Sequence, residues 1–182
     1  PGHGFVEADS HHDVPVDERD FDTVWNEDIA PYRHRLGRQL AGVMPAHVIY
    51  PKADPSPEPQ PAGFSPFWLK DGLRERLGYK GVIFSDDIGM AAAESAGGVA
   101  ARIGAHLDAG CDVVLVCPPA LVADSLAAMD GRPVAVETGL AALMGRGAAS
   151  WQGLLAEARY DEARTRLSGP ELAGGLIEGL RK

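Results

Sequence analysis

The chain has 182 residues, 45% of them hydrophobic, and a formal net charge of -9. That is enough for one ordinary globular domain with a real core. The negative balance offers no basic stripe for phosphates, which argues against nucleic-acid binding, and no apolar run approaches the roughly 20 residues that span a bilayer, so neither partner is expected.

Residues 1–20 read as an irregular polar loop containing His3, His11 and His12 among the acidic residues Glu7, Asp9, Asp13, Asp17 and Glu18. Such a loop is either disordered or functional, and its histidines favour function. The chain opens on Pro1-Gly2-His3-Gly4, not on a basic region followed by an apolar run, and it lacks an initiating Met. The first residue is therefore expected not to be the natural start, and no signal peptide is read. From Phe21 the pattern changes. Phe21, Val24, Trp25, Ile29, Tyr32 and Leu36 recur at helical spacing, with a break expected at Pro31. A strand is expected to end near Met44, with His47 in the loop after it.

The stretch 50–63 carries Pro51, Pro55, Pro57, Pro59 and Pro61. It reads as a linker or as a long loop at one mouth of a barrel. Ser65 caps the next helix, with Pro66 at its first position and Gly78 as its stop. Gly81 to Phe84 form a short buried strand, and Ser85-Asp86-Asp87 follow it. Helices are expected over 90–93 and 99–109, then a strand over 113–117 opened by Asp112, then a helix from Ala120 to Met129. From Val136 onward only helical signals remain, at 140–144, 154–167 and 172–180. The alternation implies right-handed βαβ units in a parallel sheet, with residues 1–135 and 136–182 as the two parts. Three strands are too few for a closed (β/α)8 barrel, so the chain reads as part of a larger α/β barrel or as a small open α/β sheet.

In parallel sheets the chemistry sits at the carboxyl ends of the strands, which is where Asp86 and Asp87 stand. One reading makes them a catalytic carboxylate site; the other makes Asp87 or Ser85 a helix cap. The loop motif Asp9-Ser10-His11 is the second candidate. A carboxylate beside an imidazole fixes its tautomer and suits a general acid/base near neutral pH. His3, Asp9, His11, His12 and Asp13 also read as metal ligands, or as a merely polar surface. His34 and His106 are expected on the surface of amphipathic helices. Trp25, Trp68 and Trp151 read as packing residues. Cys111 and Cys117 would lie about 20 Å apart along an extended strand, so both are read as reduced core thiols. No glycine-rich phosphate loop is present, so no nucleotide or other cofactor is expected.

Five stretches carry a resemblance, in order and with natural spacing. They are Pro1-Gly2-His3-Gly4, Asp9-Ser10-His11, Val43-Met44-Pro45-Ala46-His47, the run from Phe64 through Leu77-Gly78-Tyr79-Lys80 to Asp87, and Ala109-Gly110-Cys111-Asp112 with Leu115-Val116-Cys117. Over residues 1 to about 130 the chain resembles the bacterial β-N-acetylglucosaminidases of glycoside hydrolase family 3. The resemblance implies an α/β fold of the (β/α)8 type, of which this chain is the C-terminal part, starting at the catalytic loop. It implies retaining removal of terminal β-linked N-acetylglucosamine from muropeptides (GlcNAc-1,6-anhydroMurNAc) in cytoplasmic peptidoglycan recycling. Asp86 matches the nucleophile, His11 the acid/base and Asp9 its partner; His3, Met44 and His47 are carried over as substrate-binding residues. No metal and no cofactor are implied.

The chain departs from the family in what precedes Pro1. A Lys-His pair and the acidic and arginine residues that hold the sugar are absent, so an inactive half-barrel that needs or binds a complementary N-terminal half is the alternative. Gly89 and the alanines after Met90 are also small for contacts to a sugar. Outside the family, a metal-dependent hydrolase using the histidine loop is the rival. A β-glucosidase of the same family fits less well, because such enzymes lack the Asp-Ser-His loop.

Overall fold

The structure is a computed structural model that describes residues 2–33, 40–132, 140, 143, 144 and 150–167. The chain forms two compact units, residues 1–144 and 145–182. The part boundary expected at 135/136, the helix expected over 172–180, and His34 lie outside the described residues.

The first unit is built on a parallel sheet of three strands in the order β1 (Gly42–Val43), β2 (Val82–Asp87) and β3 (Val113–Leu115). Gly42 pairs with Val82 and Val43 with Ile83; Phe84 pairs with Val113 and Asp87 with Leu115. All three strands were expected. β2 differs in length: it does not stop at Phe84 but runs through both aspartates. The first loop also differs. Val16 makes a parallel bridge to Ile49, with the Asp17 N–H donating to the Ile49 carbonyl at 2.8 Å and the Ile49 N–H to Pro15 at 2.9 Å. The base of the loop is thus pinned by main-chain bonds that a scan for side-chain periodicity does not register.

Helices form where the sequence offers caps and an apolar stripe. Helix α1 (Phe21–Asn26) starts at Asp20, whose carboxylate accepts the Thr23 N–H at 2.8 Å. The break before Pro31 is real: α2 (Ala30–Arg33) is a separate short turn. The helix after the proline-rich stretch spans Phe67–Arg76 with wide, π-type turns, the Leu77 N–H reaching back to Gly72 at 3.0 Å. A 3-10 turn over Ala91–Ala96 follows β2, then α3 (Val99–Ala109). α3 ends at Gly110, whose φ of 118° lies in the left-handed region that glycine alone enters freely. The segment after β3 begins as a 3-10 turn at Pro119–Leu121 and becomes α4 (Val122–Met129).

Two apolar clusters hold this unit together. One packs Val24, Ile29, Val48, Tyr50, Ala53, Ala62 and Trp68; the other packs Leu69, Tyr79, Ile83, Ala109 and Cys111. Burying each large side chain contributes about 1.5–3 kcal/mol before entropy is charged against it. Trp25 and Trp68 are therefore packing residues, as expected, but Trp151 is largely exposed. In the second unit α5 (Trp151–Leu155) is capped by Ser150, and the Trp151 ring meets Tyr160 of α6 (Ala158–Leu167) edge-on. Of the two cysteines, neither is in a disulfide; Cys111 is buried but Cys117 is exposed, so only the first is a core thiol.

Candidate active site at the carboxyl ends of the strands

Parallel strands deliver their carboxyl ends to one edge of a sheet. Met44 and His47 follow β1, Asp86 and Asp87 close β2, and Cys117 follows β3. Asp87 links these ends. Its Oδ1 accepts the Gly89 N–H at 3.1 Å and the Cys117 N–H at 2.9 Å, and its own N–H donates to Asp86 Oδ1 at 2.9 Å. Gly89 is required here: a Cβ on it would stand 2.3 Å from Pro118 Cγ and 3.0 Å from Asp87 Oδ2. Asp87 therefore ties the turn after β2 to the end of β3, whereas Asp86 is held by a single N–H and stays partly exposed.

Asp9 and His11 form the second group. Asp9 Oδ1 lies 2.8 Å from His11 Nδ1 and also accepts the His11 main-chain N–H at 2.9 Å. A carboxylate only accepts, so this contact puts the ring hydrogen on Nδ1 and leaves Nε2 to exchange a proton. The His11 N–H, then its ring, hold the Asp9 carboxyl below the usual carboxylate range. Both side chains are open to solvent, His11 67% and Asp9 59% exposed.

The loop that bears Asp9 and His11 is bonded to the turn after β2. The Ala92 N–H donates to the Ser10 carbonyl at 3.3 Å and the Ala91 N–H to the His11 carbonyl at 3.4 Å. The Asp9–His11 turn is thereby tied to the 3-10 segment that begins four residues after Asp87. The base of the same loop is clamped by Arg19, which bonds Asp17, Glu27 and Asp28 and lies 3.9 Å from the centre of the Phe5 ring.

The other expected site residues differ in exposure and surroundings. Met44 is 49% exposed. His3 is half-buried, with Nε2 enclosed and unpartnered among the described residues. His47 is fully buried, its ring tilted against Phe64 at 5.4 Å and against His106 at 5.2 Å between centres. Burial pushes the His47 imidazole below the usual histidine range, against the opposing pull of Asp86. His106, expected on the surface, is likewise fully buried, with Nδ1 2.9 Å from the Gly63 carbonyl, and burial lowers it to about 4. Its spacing from Ile103 and Ala109 repeats every three residues, a core-facing helical pattern that its polar ring masks. Sequence reasoning also assigned no role to Arg19 or to Arg74. Arg74 donates to Asp112 at 2.6 Å and to the Gly81 carbonyl at 2.6 Å, joining the helix 67–76 to β2 and β3. Neither arginine sits at a helical spacing from its acidic partner, which was the available signal. Among the described residues there is no cluster of three or more His, Cys, Asp or Glu able to hold a metal ion, so the histidine loop does not close into a ligand set.

Comparison with known proteins identifies the family. Residues 1–144 match the family described as Glycosyl hydrolase family 3 N terminal domain, and the chain belongs to that family. A beta-hexosaminidase of Aromatoleum aromaticum is 65% identical over 127 residues, covering 69% of this chain and 35% of that protein. One from Stenotrophomonas maltophilia is 52% identical over 167 residues, 92% of this chain and 48% of the relative. The crystal structure of NagZ from Neisseria gonorrhoeae in complex with N-trifluoroacetyl-D-glucosamine superposes with a TM-score of 0.72 at 41% identity, over 91% of this chain and 47% of that one. The chain thus spans half, or less, of the length of these relatives.

Proposed function

We propose that this chain carries the catalytic groups of a retaining exo-β-N-acetylglucosaminidase. The observation that carries the reading is the docking of the Asp9–His11 turn onto the Ala91–Ala92 segment that follows Asp86. Asp86 attacks the anomeric carbon; a carbon–oxygen bond forms to its carboxylate as the glycosidic bond breaks. His11 gives its Nε2 proton to the leaving oxygen, and Asp9 stabilises the imidazolium that makes this possible. Water then attacks the glycosyl-enzyme with His11 as base, and configuration is retained. A histidine donor approaches the anionic nucleophile without the repulsion that a second carboxylate would meet.

The substrate class proposed is terminal β-linked N-acetylglucosamine on muropeptides, in cytoplasmic peptidoglycan recycling, with His3, Met44 and His47 on the sugar side of the site. The sheet is proposed to be the C-terminal part of a (β/α)8 barrel, residues 1–135, with residues 136–182 as helices packed on it. Supporting this, β1 and β3 are the outer strands among the described residues, and the relatives are about twice as long. The same two facts favour a second reading, in which these residues turn over substrate only when the complementary half of the barrel is supplied.

The test is hydrolysis of 4-nitrophenyl N-acetyl-β-D-glucosaminide by the intact protein that bears this chain, with the product anomer followed by NMR. First-formed β-anomer, and activity untouched by a chelator, are expected. An α-anomer first would overturn the retaining mechanism, and loss with chelator restored by added metal would favour a metal-dependent hydrolase. Turnover that appears only when a separately expressed N-terminal half is added would establish the second reading.

A further inference from the structure

Strand β2 carries one residue more than its neighbour. Phe84 lies opposite Val113 and Asp87 opposite Leu115, so three steps along β2 match two along β3. That count is a bulge at Ser85–Asp86. At this point in the ladder the Leu115 N–H donates to a side chain, Ser85 Oγ, at 2.9 Å. The same hydroxyl donates to the Asp86 carbonyl at 2.6 Å. Ser85 is fully buried, so it is not a surface cap and not a group that meets substrate.

The consequence lies in the alternation of side chains. In a regular strand each residue faces opposite to the last, and a one-residue insertion reverses every face beyond it. Asp86 lies within the stretch where the register shifts. A bulge survives only if the extra main-chain groups find partners, and Ser85 Oγ supplies both an acceptor and a donor. We infer that Ser85 is a positioning residue: its hydroxyl stabilises the bulge that aims the Asp86 carboxylate out of the sheet edge toward the sugar carbon. This rests on reading Asp86 as the nucleophile. Asp87 helps from the other side, since its bonds to Gly89 and Cys117 keep the two strand ends at the spacing the bulge requires.

The experiment uses the intact enzyme and four variants, Ser85→Ala, Ser85→Cys, Ser85→Thr and Asp86→Ala. Ser85→Ala is expected to lower kcat about 10–100-fold, the cost of a small misplacement of a reacting group, with KM close to that of the parent and Tm lowered by the loss of two buried hydrogen bonds. Ser85→Cys keeps a side chain of similar shape but weakens both hydrogen bonds, and is expected to fall between the parent and Ser85→Ala. Ser85→Thr keeps the hydroxyl and is expected to recover most of kcat. Should Ser85→Ala fail to fold, the Cys and Thr pair still decides. Parental kcat in Ser85→Ala or Ser85→Cys overturns the inference, as does a kcat loss that tracks Tm with no recovery in Ser85→Thr. Asp86→Ala separates the two levels. If azide restores its turnover while the Ser85 variants are normal, only the Ser85 inference fails. If Asp86→Ala is itself active, the nucleophile reading falls and the inference with it.

Discussion

Asp86 and Asp9 are both carboxylates at one edge of the sheet, but the fold holds them in opposite ways. Asp86 closes a strand whose neighbours come from residues 42–43 and 113–115, so its place depends on contacts far apart in sequence. Asp9 is held by His11, two residues away, through its ring and its main-chain N–H. The first arrangement is held by main-chain pairing to a strand on either side, around the buried Val82 and Ile83. The second is a local turn, open to water, tied to the rest by the Ala91 and Ala92 N–H bonds and by the Arg19 clamp. A nucleophile gains from rigidity because it must meet one carbon atom in line. An acid/base that gives a proton and then takes one back gains from a mount that can adjust.

Removing each group in turn should expose that difference. Asp86→Ala in the intact enzyme is expected to lower kcat on the order of 10⁴-fold or more, because no other group replaces a lost nucleophile. Near-normal turnover of a chromogenic N-acetylglucosaminide would reassign it. His11→Ala should cost about 10²–10⁴-fold on a substrate with a poor leaving group and far less in the first step on a 4-nitrophenyl glycoside, which departs without a proton. Equal losses across a leaving-group series would remove His11 as the acid.

Arg19→Ala attacks the mount and leaves the groups in place. Asp17 is 1% exposed. Burial pushes its carboxyl up, but the Arg19 contacts outweigh this and hold it below the usual range. Stripping the arginine strands a buried charge, and a loss of about 3–5 kcal/mol is expected in denaturant melts. Arg19→Lys should recover part of it, and a melt unchanged by Arg19→Ala would show that the clamp carries no weight.

The smallest effect concerns the buried histidines beneath Asp86. His106 is lowered to about 4 by burial, with the neighbouring His47 adding to the effect. Between its ordinary value near 6.5 and that lower one, the unfolded chain binds a proton the folded chain refuses. Stability should therefore fall as pH drops through this window, by up to about 3 kcal/mol from His106. His106→Asn should flatten the dependence of Tm on pH between 6.5 and 4, and a slope as steep as the parent's would assign it to other groups.

The two sites were unequally legible. Asp9-Ser10-His11 is a contact within three residues, so the pairing was visible from spacing, while acid/base, metal-ligand and plain surface readings stayed open until the resemblance chose among them. The strand-end position of Asp86 was visible in the apolar run before it, but β2 was read as ending at Phe84. Polar residues end a strand in a periodicity scan, yet in the fold Ser85 and Asp87 satisfy their neighbours with side-chain bonds and the strand continues. His106 failed for the converse reason. Polarity placed it outside, whereas its bond to the Gly63 carbonyl makes burial tolerable.

By itself the sequence determined the parallel α/β pattern, the short-range Asp9–His11 pairing, the helix stop at Gly110, and the family to which the chain belongs. Each depends on side-chain period or on residues close along the chain, which is information a linear string carries. Tertiary structure alone decided that the first loop is pinned at Val16 and clamped by Arg19, that His47 and His106 are buried together, and that an inserted residue at Ser85–Asp86 shifts the register of β2 on β3. Those depend on which distant main-chain donor finds which acceptor, and that is settled only when strands far apart in sequence are brought side by side.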